Sequence, residues 1–154
     1  MTAYLADTNV IIWWVLPHDP LSPVIRTAVK RLIQQGHTVY VGAQNLTEFW
    51  SVATRPPAAN GLGMTPEQAV KEIDQIEALF PVLDDGPGIY RHWRRLVETC
   101  GVSGRQACDA RIAALMAAHH ITHILPFNTD DFRRYPGLVV VSPHEVIGAA
   151  SSES

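Results

Sequence analysis

The sequence predicts an α/β/α sandwich with a mainly parallel central sheet. Short apolar segments rich in β-branched residues alternate with longer amphipathic segments, and the connections between them are short. A chain of 154 residues that is 47% hydrophobic and 18% charged has the size and composition of one globular domain. We therefore expect a single domain over residues 1–147 and a disordered tail over residues 148–154.

The first predicted elements lie before Pro17. AYLA at residues 3–6 is short and apolar, which is typical of a buried strand, and it is followed directly by Asp7. Residues 9–16 predict a helix of one or two turns that ends at Pro17, because proline cannot continue a helix.

A second helix, a second strand and a third helix follow. Ser22 and Pro23 predict an N-cap and a proline at the first helical position, and Gly36 predicts the end of that helix. TVYVG at residues 38–42 is rich in β-branched and aromatic residues and predicts a strand. Residues 44–54 predict the next helix.

The middle of the chain contains a loop and a capped helix. Residues 55–63 include two prolines and two glycines, which predicts a loop. Thr65 and Gln68 have the spacing of a capping box, in which each side chain bonds the other's backbone N–H. The helix that follows is expected to turn four apolar residues inward: Val70, Ile73, Ile76 and Leu79.

The last part of the chain predicts three strands and two helices. A short strand is expected within residues 81–85, and helices over residues 89–98 and 105–119. HILPF at residues 123–127 predicts a buried strand, which Pro126 restricts to a strand end or a sheet edge. LVVVS at residues 138–142 predicts the final strand.

Composition excludes several functional classes. A net charge of −3 argues against a protein that coats nucleic acid without specificity. The longest apolar run, at residues 10–16, is too short to cross a bilayer, and the N-terminus has no basic region or cleavage site, so we expect a cytoplasmic protein without a membrane partner. Cys100 and Cys108 are expected to be free thiols, and their spacing to the histidines matches no zinc motif.

The basic residues are unevenly distributed. Ten of the twelve are arginines, and seven of these lie between residues 91 and 134. Because the planar guanidinium group matches phosphate, these arginines can form a phosphate-binding rim. They can equally lie on solvated helix faces with ordinary ion pairs. The seven are Arg91, Arg94, Arg95, Arg105, Arg111, Arg133 and Arg134.

Four carboxylates lie in apolar surroundings along the chain. Asp7 ends AYLAD, Glu48 lies in NLTEFW, Asp109 lies in ACDARIAAL and Asp131 lies in ILPFNTDDF. Burying an isolated charge is costly, and a divalent cation compensates several carboxylates at once. In parallel sheets the site lies beyond the carboxyl ends of the strands, where Asp7 and Asp131 are expected. Asp109 is expected on an inward helix face.

Each acid also has an ordinary explanation. Asp7 can cap the turn that follows it, Asp109 can favour the helix dipole, and Glu48 can be a solvated helix residue. Asp130 and Asp131 can belong to a turn. The joint pattern therefore carries more weight than any single acid.

Together these motifs resemble the PIN-domain ribonucleases, and the VapC-type toxins in particular. ADTNV resembles the first family motif, AQNLTEFWSVATRP the second, DARIAAL the third and LPFNTDDF the fourth. The matches occur in family order over almost the whole chain. One departure is Pro126, which stands where the family often has a Thr or Ser two residues before the asparagine of the fourth motif.

The resemblance implies a PIN-like fold and assigns site residues. Asp7, Glu48, Asp109 and Asp131 would be the catalytic metal-binding acids. It further implies four supporting residues, and leaves open whether Asp130 or Asp131 approaches the metal. The supporting residues are Thr8, Asn9, Asn128 and Asp130.

The implied activity is endoribonuclease cleavage of RNA by a water activated on Mg²⁺, with Mn²⁺ as a substitute. Hard oxygen ligands favour these ions over zinc, and no covalent protein intermediate is expected. Resemblance to VapC toxins further implies a homodimer and a cognate antitoxin protein.

Three alternatives remain at the level of sequence. The chain could be a PIN-domain nuclease of RNA processing or quality control, or a non-catalytic module that binds RNA or protein. A Mg²⁺-dependent phosphatase of the haloacid dehalogenase type would need an Asp-x-Asp pair, where this chain has Asp7, Thr8 and Asn9.

Overall fold

The computed structural model describes residues 1–16 and 19–152. Its five strands form one sheet in the order β3-β2-β1-β4-β5, and every neighbouring pair is parallel. This confirms the predicted α/β fold with a parallel sheet. The strands are β1 Ala3–Ala6, β2 Thr38–Gly42, β3 Val82–Leu83, β4 His123–Leu125 and β5 Val139–Val140.

The helices lie between and after the strands. Within the described residues they are α1 Thr8–Val15, α2 Ser22–Gln34, α3 Ala43–Thr54, α4 Pro66–Leu79, α5 Ile89–Thr99, α6 Gln106–Ala118 and α7 Pro143–Ser152. Two short 3₁₀ turns cover Pro57–Ala59 and Thr129–Asp131. None of these helices is both long enough and apolar enough to span a bilayer.

Strand β1 is the central strand and separates two hydrophobic cores. Its successive side chains point to opposite faces of the sheet. Tyr4 and Ala6 join the core formed with α1, α2, α3 and α4, whereas Leu5 joins the core formed with α5 and α6. Leu5 and Ala6 point to opposite faces and both are fully buried, because helices cover both faces of the sheet.

The sheet register brings the ends of β1 and β4 together. Ala6 pairs with Leu125, and the next backbone N–H, that of Asp7, donates to the Leu125 carbonyl at 3.1 Å. Pro126 follows immediately, so β4 keeps both neighbours β1 and β5 and the proline lies at the strand end, one of the two predicted positions.

Two predictions about helix starts and faces differ from the structure. Helix α2 has Leu21 at its N-cap and Ser22 as its first residue, and the Ser22 hydroxyl accepts from Arg26 Nε at 3.2 Å. On α4, Val70 and Leu79 are exposed although both were expected to face inward. This helix packs mainly on α3, and only a narrow stripe that includes Ala69 and Ile76 is buried.

The predicted capping box is present, and the last helix extends beyond residue 147. Thr65 Oγ1 accepts from Gln68 N at 3.2 Å, and Gln68 Oε1 accepts from Thr65 N at 2.9 Å. Helix α7 continues to Ser152, so residues 148–152 of the predicted disordered tail are helical, in keeping with the high helix propensity of the alanines there. Pro17 and residues 153–154 lie outside the described residues.

Candidate active site

The four predicted acids line one cleft at the carboxyl ends of the parallel strands. Asp7 directly follows β1, Glu48 lies on α3 after β2, Asp109 lies in the first turn of α6, and Asp131 lies in the 3₁₀ turn after β4. The cleft has a volume of ≈ 390 Å³. Residues more than 120 positions apart therefore meet at the edge of the sheet where such folds place their sites.

Asp7 is the most deeply buried of these acids, with 7% of its surface exposed. It is the N-cap residue of α1, but its side chain makes no capping hydrogen bond. Burial raises the pKa of Asp7 to about 7. The Thr8 backbone amide opposes the shift, and the charges of the other three acids add to it. Such a carboxylate is suited to binding a cation, because a nearby positive charge would offset the desolvation cost of its charged form.

Asp109 has the same kind of shift. The pKa of Asp109 is raised to about 6, mainly by burial and then by the negative charges of Asp131 and Glu48. The positive charge of Arg134 opposes this rise. The side chain is half-buried and faces the cleft, as its inward position on the helix predicted. The two acids therefore experience both desolvation and one another's negative field.

Glu48 is held by hydrogen bonds on both of its carboxylate oxygens. Thr8 Oγ1 donates to Oε2 at 2.7 Å, and Gln44 Nε2 donates to Oε1 at 2.7 Å. The same Thr8 hydroxyl accepts from Asn45 Nδ2 at 3.1 Å. Glu48 is thus a fixed member of the cleft and not a solvated helix residue.

Gln44 and Asn45 are site residues that the sequence analysis missed. Asn45 is fully buried, and its Oδ1 accepts from Gly42 N at 2.8 Å at the junction of β2 and α3. Gln44 also donates to the Cys108 carbonyl at 3.1 Å, which ties α3 to α6. Their positions three and four residues before Glu48 were the available signal, because residues at this spacing share a helix face.

The two acids after β4 differ in their positions relative to the cleft. Asp131 lines the cleft, whereas the Asp130 side chain is 80% exposed and contacts Arg133 at 3.5 Å. Asn128 shapes the turn, since its Oδ1 accepts from Asp130 N at 3.1 Å. Of the predicted supporting residues, Thr8 and Asn9 line the cleft, while Asn128 and Asp130 do not.

Two arginines also line the acidic cleft. Arg105 belongs to the predicted arginine cluster, whereas Arg55 begins the proline-rich loop and was missed. Both are exposed, so their guanidinium groups are available to a phosphate at the rim. The cleft therefore has an acidic floor and a basic rim.

The donor set fits a hard divalent cation that keeps water ligands. All four acids offer oxygen, and no ion pair within the described residues neutralises Asp7. Within residues 1–16 and 19–152, no three acidic, histidine or cysteine side chains are close enough to form a complete metal site alone. Mg²⁺ is commonly held by one or two carboxylates and several waters, which suits this open arrangement.

Comparison with known families identifies the fold and its motifs. The family model of the PIN domain matches residues 4–138, which is most of the chain and includes all four acids. The chain belongs to the PIN domain family. VapC nucleases of this family generally depend on a divalent metal.

Proteins similar to this PIN domain include a ribonuclease, a toxin–antitoxin complex and a toxin. The chain is 27% identical over 139 residues to ribonuclease VapC48 of Mycobacterium tuberculosis, covering 89% of this chain and 94% of that protein. The VapBC2 complex of Rickettsia felis, bound to a promoter DNA fragment, superposes with a TM-score of 0.69 at 17% identity and covers 92% of this chain and 98% of its own. Mycobacterium tuberculosis VapC20, described as a sarcin–ricin loop cleaving toxin, superposes with a TM-score of 0.58 at 17% identity. The match covers 83% of this chain and 92% of VapC20.

Proposed function

We propose that this PIN domain is a Mg²⁺-dependent endoribonuclease and the toxin of a VapBC-type toxin–antitoxin pair. The observation that carries the proposal is the cleft in which Asp7, Glu48, Asp109 and Asp131 meet. Burial and mutual repulsion raise the pKa of Asp7 and of Asp109, so the cleft favours a divalent cation. The ribonuclease relative with near full-length coverage supports RNA as the substrate.

The four acids are the proposed metal-site residues, which would hold Mg²⁺ directly or through its water ligands. A bound Mg²⁺ would supply an activated water and neutralise charge on the phosphate. Thr8 and Gln44 hold both oxygens of Glu48, so this carboxylate is preorganised and loses no freedom when it binds. Arg55 and Arg105 at the rim bind and orient the phosphodiester of the RNA. Water attacks directly, without a covalent protein intermediate.

The proposed partners follow from the relatives' assemblies. Several structural neighbours are VapBC toxin–antitoxin complexes, including those of Rickettsia felis and of nontypeable Haemophilus influenzae. By that analogy the chain pairs with an antitoxin protein and forms a homodimer. Its RNA substrate and its two free cysteines suit the cytoplasm.

A PIN-domain nuclease of RNA processing or quality control is the alternative within the same chemistry. A small antitoxin reading frame beside the gene, whose product suppresses growth arrest, separates the toxin from this alternative. A non-catalytic binding module would retain the fold but cleave no RNA.

The proposal is tested by induced expression followed by sequencing of cellular RNA ends. Wild-type protein is expected to generate new ends at defined positions, and Asp7→Asn is expected to generate none. Asp130→Asn is the matched control, because Asp130 is exposed and outside the cleft. New ends that persist in Asp7→Asn, or an absence of new ends with wild type, would contradict the proposal.

A further inference from the structure

A second cleft lies beside the acidic one and contains an aromatic pair, one ring of which is exposed. It has a volume of ≈ 470 Å³ and is lined by Asp85, Gly86, Ile89, Tyr90, Trp93 and Arg111. Tyr90 is 67% exposed, which is unusual for a large aromatic side chain. Its ring centre is 6.0 Å from that of Trp93, with an angle of 32° between the ring planes.

Trp93 and Arg111 are each held in place by a neighbouring part of the chain. Trp93 Nε1 donates to the Ala107 carbonyl at 2.9 Å, so the indole is anchored between α5 and α6. Arg111 is anchored as well, because its guanidinium group contacts Asp85 at 3.3 Å. An anchored indole beside an exposed phenol ring and a positioned guanidinium group is suited to a planar, polar ligand.

One side chain connects this cleft to the acidic cleft. Gln44 Oε1 accepts from Arg111 Nη1 at 2.7 Å, while Gln44 Nε2 donates to Glu48 Oε1 at 2.7 Å. A single amide group therefore separates an acid of the candidate active site from the guanidinium group beside the aromatic pair. A ligand that extends from one cleft to the other needs to cross only this short distance.

The surface beyond Tyr90 is basic. Tyr90 also lines an adjoining depression of ≈ 410 Å³ with Arg91, Arg94, Arg95 and Glu98. Arg94 is paired with Glu98 at 2.8 Å, and no ion pair within the described residues involves Arg91 or Arg95. Helix α5 thus presents aromatic rings on one side and guanidinium groups on the adjacent side, the combination that binds single-stranded nucleic acid.

We propose that the cleft of Tyr90, Trp93 and Arg111 binds one unpaired nucleobase of the RNA substrate, with the backbone following the arginines of α5. The base stacks on Tyr90, and the nucleotide lies next to the scissile phosphate because Gln44 joins the two clefts. This inference rests on the proposed ribonuclease function and adds to it a binding site for one base beside the acidic cleft.

The test uses a synthetic single-stranded RNA that the wild type cleaves at one position, together with versions that carry one abasic nucleotide at each position around the cut. Tyr90→Ala is expected to lower kcat/KM on the intact RNA about tenfold, within the range found for loss of one base–aromatic stack. Tyr90→Phe keeps the ring and is expected to restore most of the kcat/KM that Tyr90→Ala loses. Removing the base at one position of the RNA is expected to lower the kcat/KM of the wild type about tenfold, as Tyr90→Ala does. The same abasic RNA is expected to lower the kcat/KM of Tyr90→Ala no further.

Three outcomes would overturn the inference. If Tyr90→Ala cleaves like the wild type, or loses activity equally on every abasic RNA, the cleft binds no base. If the loss accompanies conversion of a dimer to a monomer in light scattering, Tyr90 is a contact between two copies of the chain. A wild-type protein that cleaves no RNA overturns the proposed function itself, and a cleaving wild type with an indifferent Tyr90→Ala overturns this inference alone.

Discussion

Thr8 Oγ1 donates a 2.7 Å hydrogen bond to Glu48 Oε2 across forty residues of sequence. Thr8 is buried and adjoins Asp7, so one hydroxyl links the residue after β1 to the acid on α3. It also accepts from Asn45, which fixes the direction of its proton toward Glu48. The orientation of Glu48 is therefore set by the β1–α1 junction.

Thr8→Val removes this donor while keeping the side-chain volume. Without the hydroxyl, Glu48 loses a fixed position, and RNA cleavage in Mg²⁺ is expected to fall about 10- to 100-fold, as for other groups that orient metal-binding residues. Thr8→Ser keeps the hydroxyl and is the matched control. Initial cleavage rates of the three proteins provide the measurement, and equal rates for Thr8→Val and wild type would contradict this role.

Asp7 makes the stability of the metal-free protein depend on pH. Its pKa is 3.8 when unperturbed and about 7 in the fold, so the folded state binds more protons between these values. Stability is therefore greatest below pH 4, falls as the pH rises to about 7, and is then constant with respect to this group. Each pKa unit corresponds to about 1.4 kcal/mol, so the loss is a few kcal/mol.

The measurement is the Tm of metal-free wild type and Asp7→Asn from pH 4 to pH 8. Asp7→Asn is expected to exceed the wild type at pH 8 and to approach it at pH 4. Added Mg²⁺ is expected to stabilise the wild type at pH 8, because binding to the folded state alone raises stability. A Tm difference that does not change with pH is the result that would exclude this linkage.

Asn45 is expected to stabilise the β2–α3 junction. Its fully buried amide accepts from Gly42 N and donates to Thr8, so Asn45→Leu leaves a buried N–H without its partner. Such a loss costs about 1–3 kcal/mol of the free energy of unfolding. Urea unfolding measures it. Thr47→Ala on the exposed side of the same helix is the control, with an expected change of about 0.5 kcal/mol or less. If Asn45→Leu has the same free energy of unfolding as the wild type, Asn45 does not stabilise this junction.

The two acids after β4 are expected to differ in importance. Asp131→Asn removes a carboxylate from the cleft and is expected to lower cleavage about tenfold or more. Asp130→Asn removes only an exposed contact with Arg133 and is expected to leave the rate within about twofold. Rates measured at equal Mg²⁺ concentration decide between them, and a larger effect of Asp130→Asn would reverse the assignment.

Much of the fold follows from sequence pattern because it depends on local periodicity. The apolar strand before Asp7 and the alternation of strands and helices predicted a parallel sheet, and that topology brings strand ends together. The inward position of Asp109 likewise followed from helix geometry. These features require only the period of each element and the rule for parallel sheets.

What the sequence did not reveal depends on contacts between distant elements. Gln44 resembles a surface residue until its partners Arg111 and Cys108 on α6 are known. The exposure of Val70 follows from the packing of α4 on α3, which helical periodicity does not specify. Polar networks and helix docking are tertiary properties, so a pattern within one segment cannot predict them.

The most direct test of the central claim is the rate of RNA cleavage by purified, EDTA-treated protein as Mg²⁺ is added. We expect no cleavage in EDTA, a saturable increase with Mg²⁺ for wild type and Asp130→Asn, and a rate about a hundredfold lower for Asp7→Asn and Asp109→Asn. Cleavage that persists in EDTA, or that Asp7→Asn and Asp109→Asn perform as fast as the wild type, would contradict a metal-dependent nuclease site in this cleft.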